Sequence, residues 1–179
     1  MKKLNKFKKE VEKCRKCSLW KTRKKIVFGE GPVSAKIMFL GEAPGKEEDK
    51  TGIPFCGRAG KLLDNLLKEN KIDRKKVYIT SVIKCRPPKN RIPSKEELTA
   101  CRKWWQKQIG IIKPKKIILL GRVAFNTVLG LGELGDCRGR WLKVKNQLYF
   151  PTYHPAAALR FPRIKKILEK DFKKIKENY

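Results

Sequence analysis

The sequence predicts an α/β protein in which helices cover both faces of a parallel sheet. Three observations carry this expectation. Short apolar runs stand at 36–40 (KIMFL), 77–82 (VYITSV), 117–120 (IILL) and 147–151 (QLYFP). The first three lack the polar alternation of a half-wet strand and read as strands buried on both faces. Helix-patterned segments separate the strands, and strand–helix alternation is the signature of parallel sheets. The most unusual loops also follow strands, and open parallel sheets bind ligands beyond the carboxyl ends of their strands.

Each element has a local reason. Residues 4–13 make a short basic helix. In 59–71, Leu62, Leu63, Leu66 and Leu67 recur at helical spacing. Ser94-Lys-Glu-Glu97 fits a capping box, which starts a helix running toward Ile109. A short helix follows Gly121 through Val128, and a basic helix spans 164–178. The Gly-rich stretch 130–139 is expected as a loop. It does not follow a strand with dinucleotide-binding spacing.

Charge narrows the partners. The chain has 46 Lys plus Arg against 17 Asp plus Glu, a net charge of +29. A phosphate backbone is the natural counterpart, through counterion release. An anionic membrane surface is the rival, and a Lys-rich thermophile surface is the bland alternative. So large an excess of cations cannot be absorbed in balanced ion-pair networks. No run approaches the roughly 18 apolar residues of a membrane span, and the basic start has no apolar core behind it. The expectation is an intracellular, cytoplasmic protein that avoids membranes.

Six cysteines in such a protein point to metal or reactivity before disulfides. Cys14-x-x-Cys17 is a two-ligand clip, Cys85 lies just past a strand, and Cys101 lies on the capped helix. Four thiolates imply zinc or an iron–sulfur cluster, and the wide Cys85…Cys101 separation favours iron–sulfur over a zinc knuckle. Lys13, Arg15, Lys16, Lys84 and Arg86 flank them and are expected to favour the thiolates. Cys56 and Cys137 read as space-filling residues, and a disulfide between them is admissible only in a hyperthermophile.

Three segments together with these cysteines carry a resemblance: GEAPGKEEDKTGIPFCGRAG (41–60), YITSVIKCRPPKNRIP (78–93) and HPAAALR (154–160). In this order, and over nearly the whole chain, they resemble the family 4 uracil-DNA glycosylases, the thermostable iron–sulfur branch of that superfamily. The resemblance implies a three-layer α/β/α fold around a four-stranded parallel sheet. It implies one domain over 1–179, with the CxxC clip docked by a 4Fe–4S cluster on Cys14, Cys17, Cys85 and Cys101. It also implies a monomeric DNA repair enzyme that cuts the N-glycosidic bond of deoxyuridine in single- or double-stranded DNA.

Residue roles follow from the chemistry and the resemblance together. Cutting the N1–C1′ bond of a flipped-out nucleotide leaves an oxocarbenium-like sugar and a uracil anion. A neutral imidazole donating to uracil O2 stabilises that anion. His154, the only histidine, is expected to be this donor, kept neutral by its cationic surroundings. Its ordinary reading is a ring satisfied by a backbone carbonyl. Phe55 resembles the aromatic that stacks on uracil, where a core Phe is the plain alternative. Gly41 and Ala43 belong to the same pocket. Ala43 stands where faster superfamily members carry a water-handling Asp or Asn, so leaving-group stabilisation should dominate over general-base work. Glu42 is expected on the water and sugar side and Glu48 near uracil C5, excluding thymine. The competing reading of 47–49 is a solvated acidic turn.

Ser81 departs from the pattern. The family usually has Asn there to read uracil N3–H and O4. One rotating hydroxyl reaches less far. Broadened specificity toward hypoxanthine or xanthine, or a DNA-binding iron–sulfur relative without catalysis, are the resulting alternatives. DNA contacts are expected from Arg58, Arg86, Lys89, Arg91 and Arg160, with Leu159 as a wedge into the base stack.

Overall fold

The computed structural model describes residues 2–177. In chain order the helices are α1 (Lys2–Glu12), α2 (Lys46–Thr51), α3 (Arg58–Glu69), α4 (Lys95–Ile112), α5 (Arg122–Val128), α6 (Leu134–Cys137), α7 (Pro155–Ala158) and α8 (Pro162–Glu177). The strands are β1 (Ile37–Gly41), β2 (Tyr78–Ser81), β3 (Lys116–Leu120), β4 (Leu142–Val144) and β5 (Gln147–Thr152). Helix α8 is thus the expected final helix, begun two residues early at Pro162; position 178 of that expectation lies outside the described residues.

The sheet order is β2-β1-β3-β5-β4. The four strands β2, β1, β3 and β5 are mutually parallel, as expected. A fifth strand corrects the strand count. Strand β4 pairs antiparallel with β5, matching Leu142 to Tyr149 and Val144 to Gln147. The two-residue connection Lys145–Asn146, with Lys145 at φ 53°, can only make a hairpin, because a parallel neighbour needs a crossover. The loop expected at 130–139 is corrected too: it contains α6, which turns to bury Leu134.

Strand side chains alternate between two cores. Met38, Leu40, Ile117 and Leu119 face a core shared with α1, α4 and α5. Ile37, Phe39, Ile118 and Leu120 face the other, shared with α3 and α8. Both faces of the sheet are therefore dry, which is why these strands read as unbroken apolar runs. On the first face Phe7 of α1 packs 5.6 Å from Phe28 and 5.8 Å from Trp104 of α4. That contact delivers the chain at Cys14 and Cys17 to the α4 side of the sheet.

Helix α4 begins with the expected capping box. Ser94 Oγ accepts from Glu97 N, and Ser94 N donates to a Glu97 carboxylate oxygen at 2.8 Å. It runs to Ile112, one turn past the expected end, and closes on Lys113 in the left-handed region at φ 52°.

Chain direction reverses across the sheet between β1 and β3. From β1 the chain moves outward to β2, then crosses back to β3 and β5 on the other side. A crevice opens at such a switch point, beyond the carboxyl ends of the strands.

Candidate functional site

The crevice is a cleft of about 270 Å³ lined by residues from all three unusual loops. Glu42, Ala43 and Glu48 come from the segment after β1, Ser81 from the end of β2, and His154 and Arg160 from the segment after β5. Gly41 and Ser81 are register partners at the ends of adjacent strands. Phe55 is carried in by the turn before α3 and is 93 % buried, with 7 % of its surface left.

The Phe55 ring lies 5.5 Å from the His154 ring, at 28° between planes. Its backbone sits at φ 52°, a region that costs a bulky L-residue of order 1–3 kcal/mol and that clusters at functional sites. Two glycines make the arrangement possible. A Cβ at Gly41 would lie 2.7 Å from the Phe55 ring, so only Gly lets that ring cover the end of β1. A Cβ at Gly60 would collide with the Phe55 carbonyl, so α3 can start under the loop only with Gly there. Sequence reasoning missed Gly60. Its signal was a Gly in the first turn of an otherwise well-patterned helix.

His154 caps α7. Its Nδ1 accepts from Ala156 N at 3.1 Å. A backbone N–H can only donate, so Nδ1 carries no proton and the neutral ring holds its proton on Nε2. Among the described residues that N–H has no protein acceptor. The residue keeps some surface, but its ring lies deep. Desolvation pushes its pKa down to about 4. Burial, not the expected cationic neighbourhood, keeps the imidazole neutral, and its backbone partner is an amide N–H rather than a carbonyl.

The acids divide by position. Burial raises the pKa of Glu42, against an opposing pull from Arg122. Residues 46–51 form a helix rather than a turn. In it Glu47 points outward to Lys50, while Asp49 is buried and accepts from Lys24 N at 2.9 Å. Only Glu48 turns to the cleft, where Oε1 accepts from Gly57 N at 3.0 Å and ties the loop to the start of α3.

The expected DNA-facing residues fall in two groups. Arg91 and Arg160 line the cleft, whereas Arg58, Arg86, Lys89 and Leu159 lie outside its lining. Both terminal nitrogens of Arg91 are engaged by Glu97, at 2.8 and 2.6 Å. Arg86 Nε donates to Asn90 Oδ1 at 2.7 Å, and Arg58 opens α3. Leu159 is 44 % exposed. Ile53, Ile92 and Phe161 are exposed as well, and all four sit within two residues of the cleft lining.

A second cavity lies on the α4 side. Cys14, Cys17, Cys85 and Cys101 all line it, with Arg23, Lys84 and Trp104. Trp104 Nε1 donates to Cys14 Sγ at 3.3 Å, and Arg23 donates to Cys85 Sγ at 3.3 Å and Cys14 O at 2.8 Å. Among the described residues no three His, Cys, Asp or Glu side chains are grouped to hold a single metal ion. The four cysteines share the lining of one cavity, a thiol-rich donor set of the kind that zinc and iron–sulfur clusters take. The expectation that flanking cations favour thiolates is corrected. Burial dominates, raising the pKa of Cys17 and Cys85 and pushing Cys101 up to about 12, although Lys84 pulls Cys101 the other way. Cys56 and Cys137 are free and stand apart from this cavity. No described helix is long and apolar enough to cross a membrane.

Comparison with known proteins agrees with this architecture. Residues 28–177 match the model of the uracil DNA glycosylase superfamily. A type-4 uracil-DNA glycosylase of Sulfurisphaera tokodaii is 50 % identical over 97 % of this chain and 84 % of its own length. That of Saccharolobus solfataricus is 48 % identical over 94 % and 82 %, and that of Thermotoga maritima 43 % identical over 93 % and 89 %. A type-5 enzyme of Pyrobaculum aerophilum is more distant, at 28 % identity over 84 % of this chain. Matching the superfamily model over residues 28–177 and type-4 relatives over nearly its whole length, the chain belongs to the uracil-DNA glycosylase superfamily, in its type-4 branch.

Proposed function

We propose that the chain releases uracil from DNA by hydrolysing the N-glycosidic bond of deoxyuridine, leaving an abasic site. One observation carries the reading: His154, held as the Nε2–H tautomer by the Ala156 amide, lines the same cleft as Phe55, with the two rings 5.5 Å apart. The flipped base stacks on Phe55, and His154 Nε2 donates to uracil O2 as the N1–C1′ bond breaks and its electron pair moves into the ring. Water adds to C1′ of the oxocarbenium on the Glu42 side. Its surplus proton leaves to solvent, and the released uracil anion takes one up. Glu42 favours the cationic sugar and orients the water. Glu48, fastened to Gly57, walls off the space at uracil C5, Ala43 lines the pocket, and Gly41 leaves room for the Phe55 ring beside it. Ser81 presents one hydroxyl to the base edge.

Cys14, Cys17, Cys85 and Cys101 would hold a 4Fe–4S cluster, which would supply structural cross-linking and no chemistry at the base. Through these ligands the N-terminal clip and the loop after β2 would be docked onto the one domain. Arg160 and Arg58 meet phosphates, with Arg86 and Lys89 behind them. Leu159 and the apolar residues around the rim enter the base stack. The protein works as a monomer on single- or double-stranded DNA.

The test is base release from oligonucleotides containing U·G, U·A, single-stranded U, hypoxanthine or xanthine. Release of uracil alone supports the reading and shows that Ser81 suffices for discrimination. Purine release keeps hydrolysis by leaving-group stabilisation, with the N9–C1′ bond broken and purine N3 in place of uracil O2 as the acceptor, and widens the substrate class, as the single hydroxyl of Ser81 would allow. Tight binding without release of any base refutes catalysis.

A further inference from the structure

Lys84 is the one buried Lys or Arg among the described residues, with 1 % of its surface exposed. Its Nζ lies 2.6 Å from Thr80 Oγ1, 2.7 Å from the Ser81 carbonyl oxygen and 2.6 Å from Gln108 Oε1. Three acceptors at these distances use all three N–H bonds of an ammonium. The tripod is anchored further out. Gln108 Nε2 donates to Phe28 O and Tyr78 Oη, and Thr80 Oγ1 donates to Phe28 O. The stem of Lys84 lines the cysteine cavity, and Cys85 is the next residue.

Helix α4 supplies the other half of the connection. Cys101 and Gln108 are seven residues apart, two helical turns, and share a face. One faces the cysteine cavity and the other faces the Lys84 ammonium. The far side of the tripod is the base cleft. Ser81 lines it, and the next two amides, Val82 N and Ile83 N, donate to the carbonyls of Gly41 and Glu42 at 2.9 and 3.0 Å. A purely space-filling role needs no charge here, and burying one is costly unless every proton is matched.

We propose that Lys84 is a positioning residue for base reading. Its tripod holds the end of β2, and with it Ser81, in register with Gly41 and Glu42. The filled cysteine site keeps the tripod in place through Cys85 and Cys101. This rests on the reading that the base binds at Ser81 and His154, so the test carries one readout that is independent of catalysis.

The experiment compares the iron-loaded wild type with Lys84→Met and the milder Thr80→Val, which deletes one acceptor. Iron content, amide hydrogen exchange, kcat and KM on uracil-containing oligonucleotides, and the ratio of uracil to hypoxanthine release are measured. In Lys84→Met with iron retained, exchange at Val82 and Ile83 should rise by about tenfold or more while Ile118 and Leu119 stay protected. kcat should fall roughly 10–100-fold with KM little changed, and the base ratio should relax. Thr80→Val should move the same quantities in the same direction by a smaller factor. Unchanged exchange and base ratio in iron-loaded Lys84→Met overturn the proposal. If that variant cannot be loaded or folded, unchanged values in Thr80→Val overturn it. A wild type that releases no base defeats the functional reading alone, because the exchange measurement still decides the tripod.

Discussion

The cysteine cavity and the base cleft share the segment after β2 yet treat their polar groups in opposite ways. Beside the cavity Lys84, whose residue lines it, gives all its protons to protein acceptors, and within it Arg23 and Trp104 donate to cysteine atoms. In the cleft His154 Nε2, Ser81 Oγ and the Glu42 carboxylate have no hydrogen-bonded protein partner among the described residues, although all three residues line it. A saturated buried group holds structure, because nothing is left to offer a ligand. A desolvated group left open is poised for one. The contrast assigns holding to one region and chemistry to the other.

The contrast can be broken from either side. The largest effect is expected at the cavity. Cys101→Ser should abolish the visible absorbance at about 400 nm and lower Tm by roughly 10 °C or more, since a domain of this size shifts about 2–4 °C per kcal/mol and a structural metal group contributes several. Retained colour and Tm would show that the cavity does not hold the fold. Next is His154→Ala, which should cost about 10²–10³ in kcat, the usual value of one oxyanion donor, with colour and Tm kept. A matching loss of Tm would make His154 a structural cap instead. Phe55→Leu should follow at roughly 5–50-fold in kcat/KM, the range for one base–aromatic stack. Its Tm should change little, because Leu refills most of the volume.

The smallest and most discriminating test is pH. The His154 pKa is depressed to about 4 by burial. Activity should therefore show no histidine limb near neutrality and should fall as pH drops through about 4, when Nδ1 gains a proton and can no longer accept from Ala156 N. From the ordinary histidine value near 6.5 down to about 4 the unfolded chain takes a proton that the folded one refuses, so this residue's contribution falls with acidification and levels off below about 4. His154→Gln should remove that increment. A kcat/KM limb near 6.5 that disappears in the variant would show the ring to be solvated.

Legibility differed by the range of the cause. Where neighbours along the chain set the outcome, the sequence sufficed. The apolar runs at β1 and β3 and the Ser94–Glu97 box are read within a few residues, because strand burial on both faces and a first-turn cap are local patterns. The GEAPG and HPAAALR loops were legible as a site because both follow strands of one parallel sheet. The resemblance to the glycosylase family supplied the substrate.

Tertiary structure alone decided the rest, because the deciding partners are far apart in sequence. It selected Glu48 over Glu47 and Asp49 by the direction in which each leaves α2. It made Gly60 necessary through the approach of the Phe55 carbonyl. It replaced cationic neighbours by burial as the cause of a neutral His154. It added β4, whose three residues Leu142-Lys143-Val144 are too few to declare a strand except beside β5. Above all it buried Lys84 beneath Thr80, Ser81 and Gln108. In the sequence Lys84 is one cation among 46. Only the folded chain brings three acceptors to its nitrogen and removes the water that would otherwise surround it.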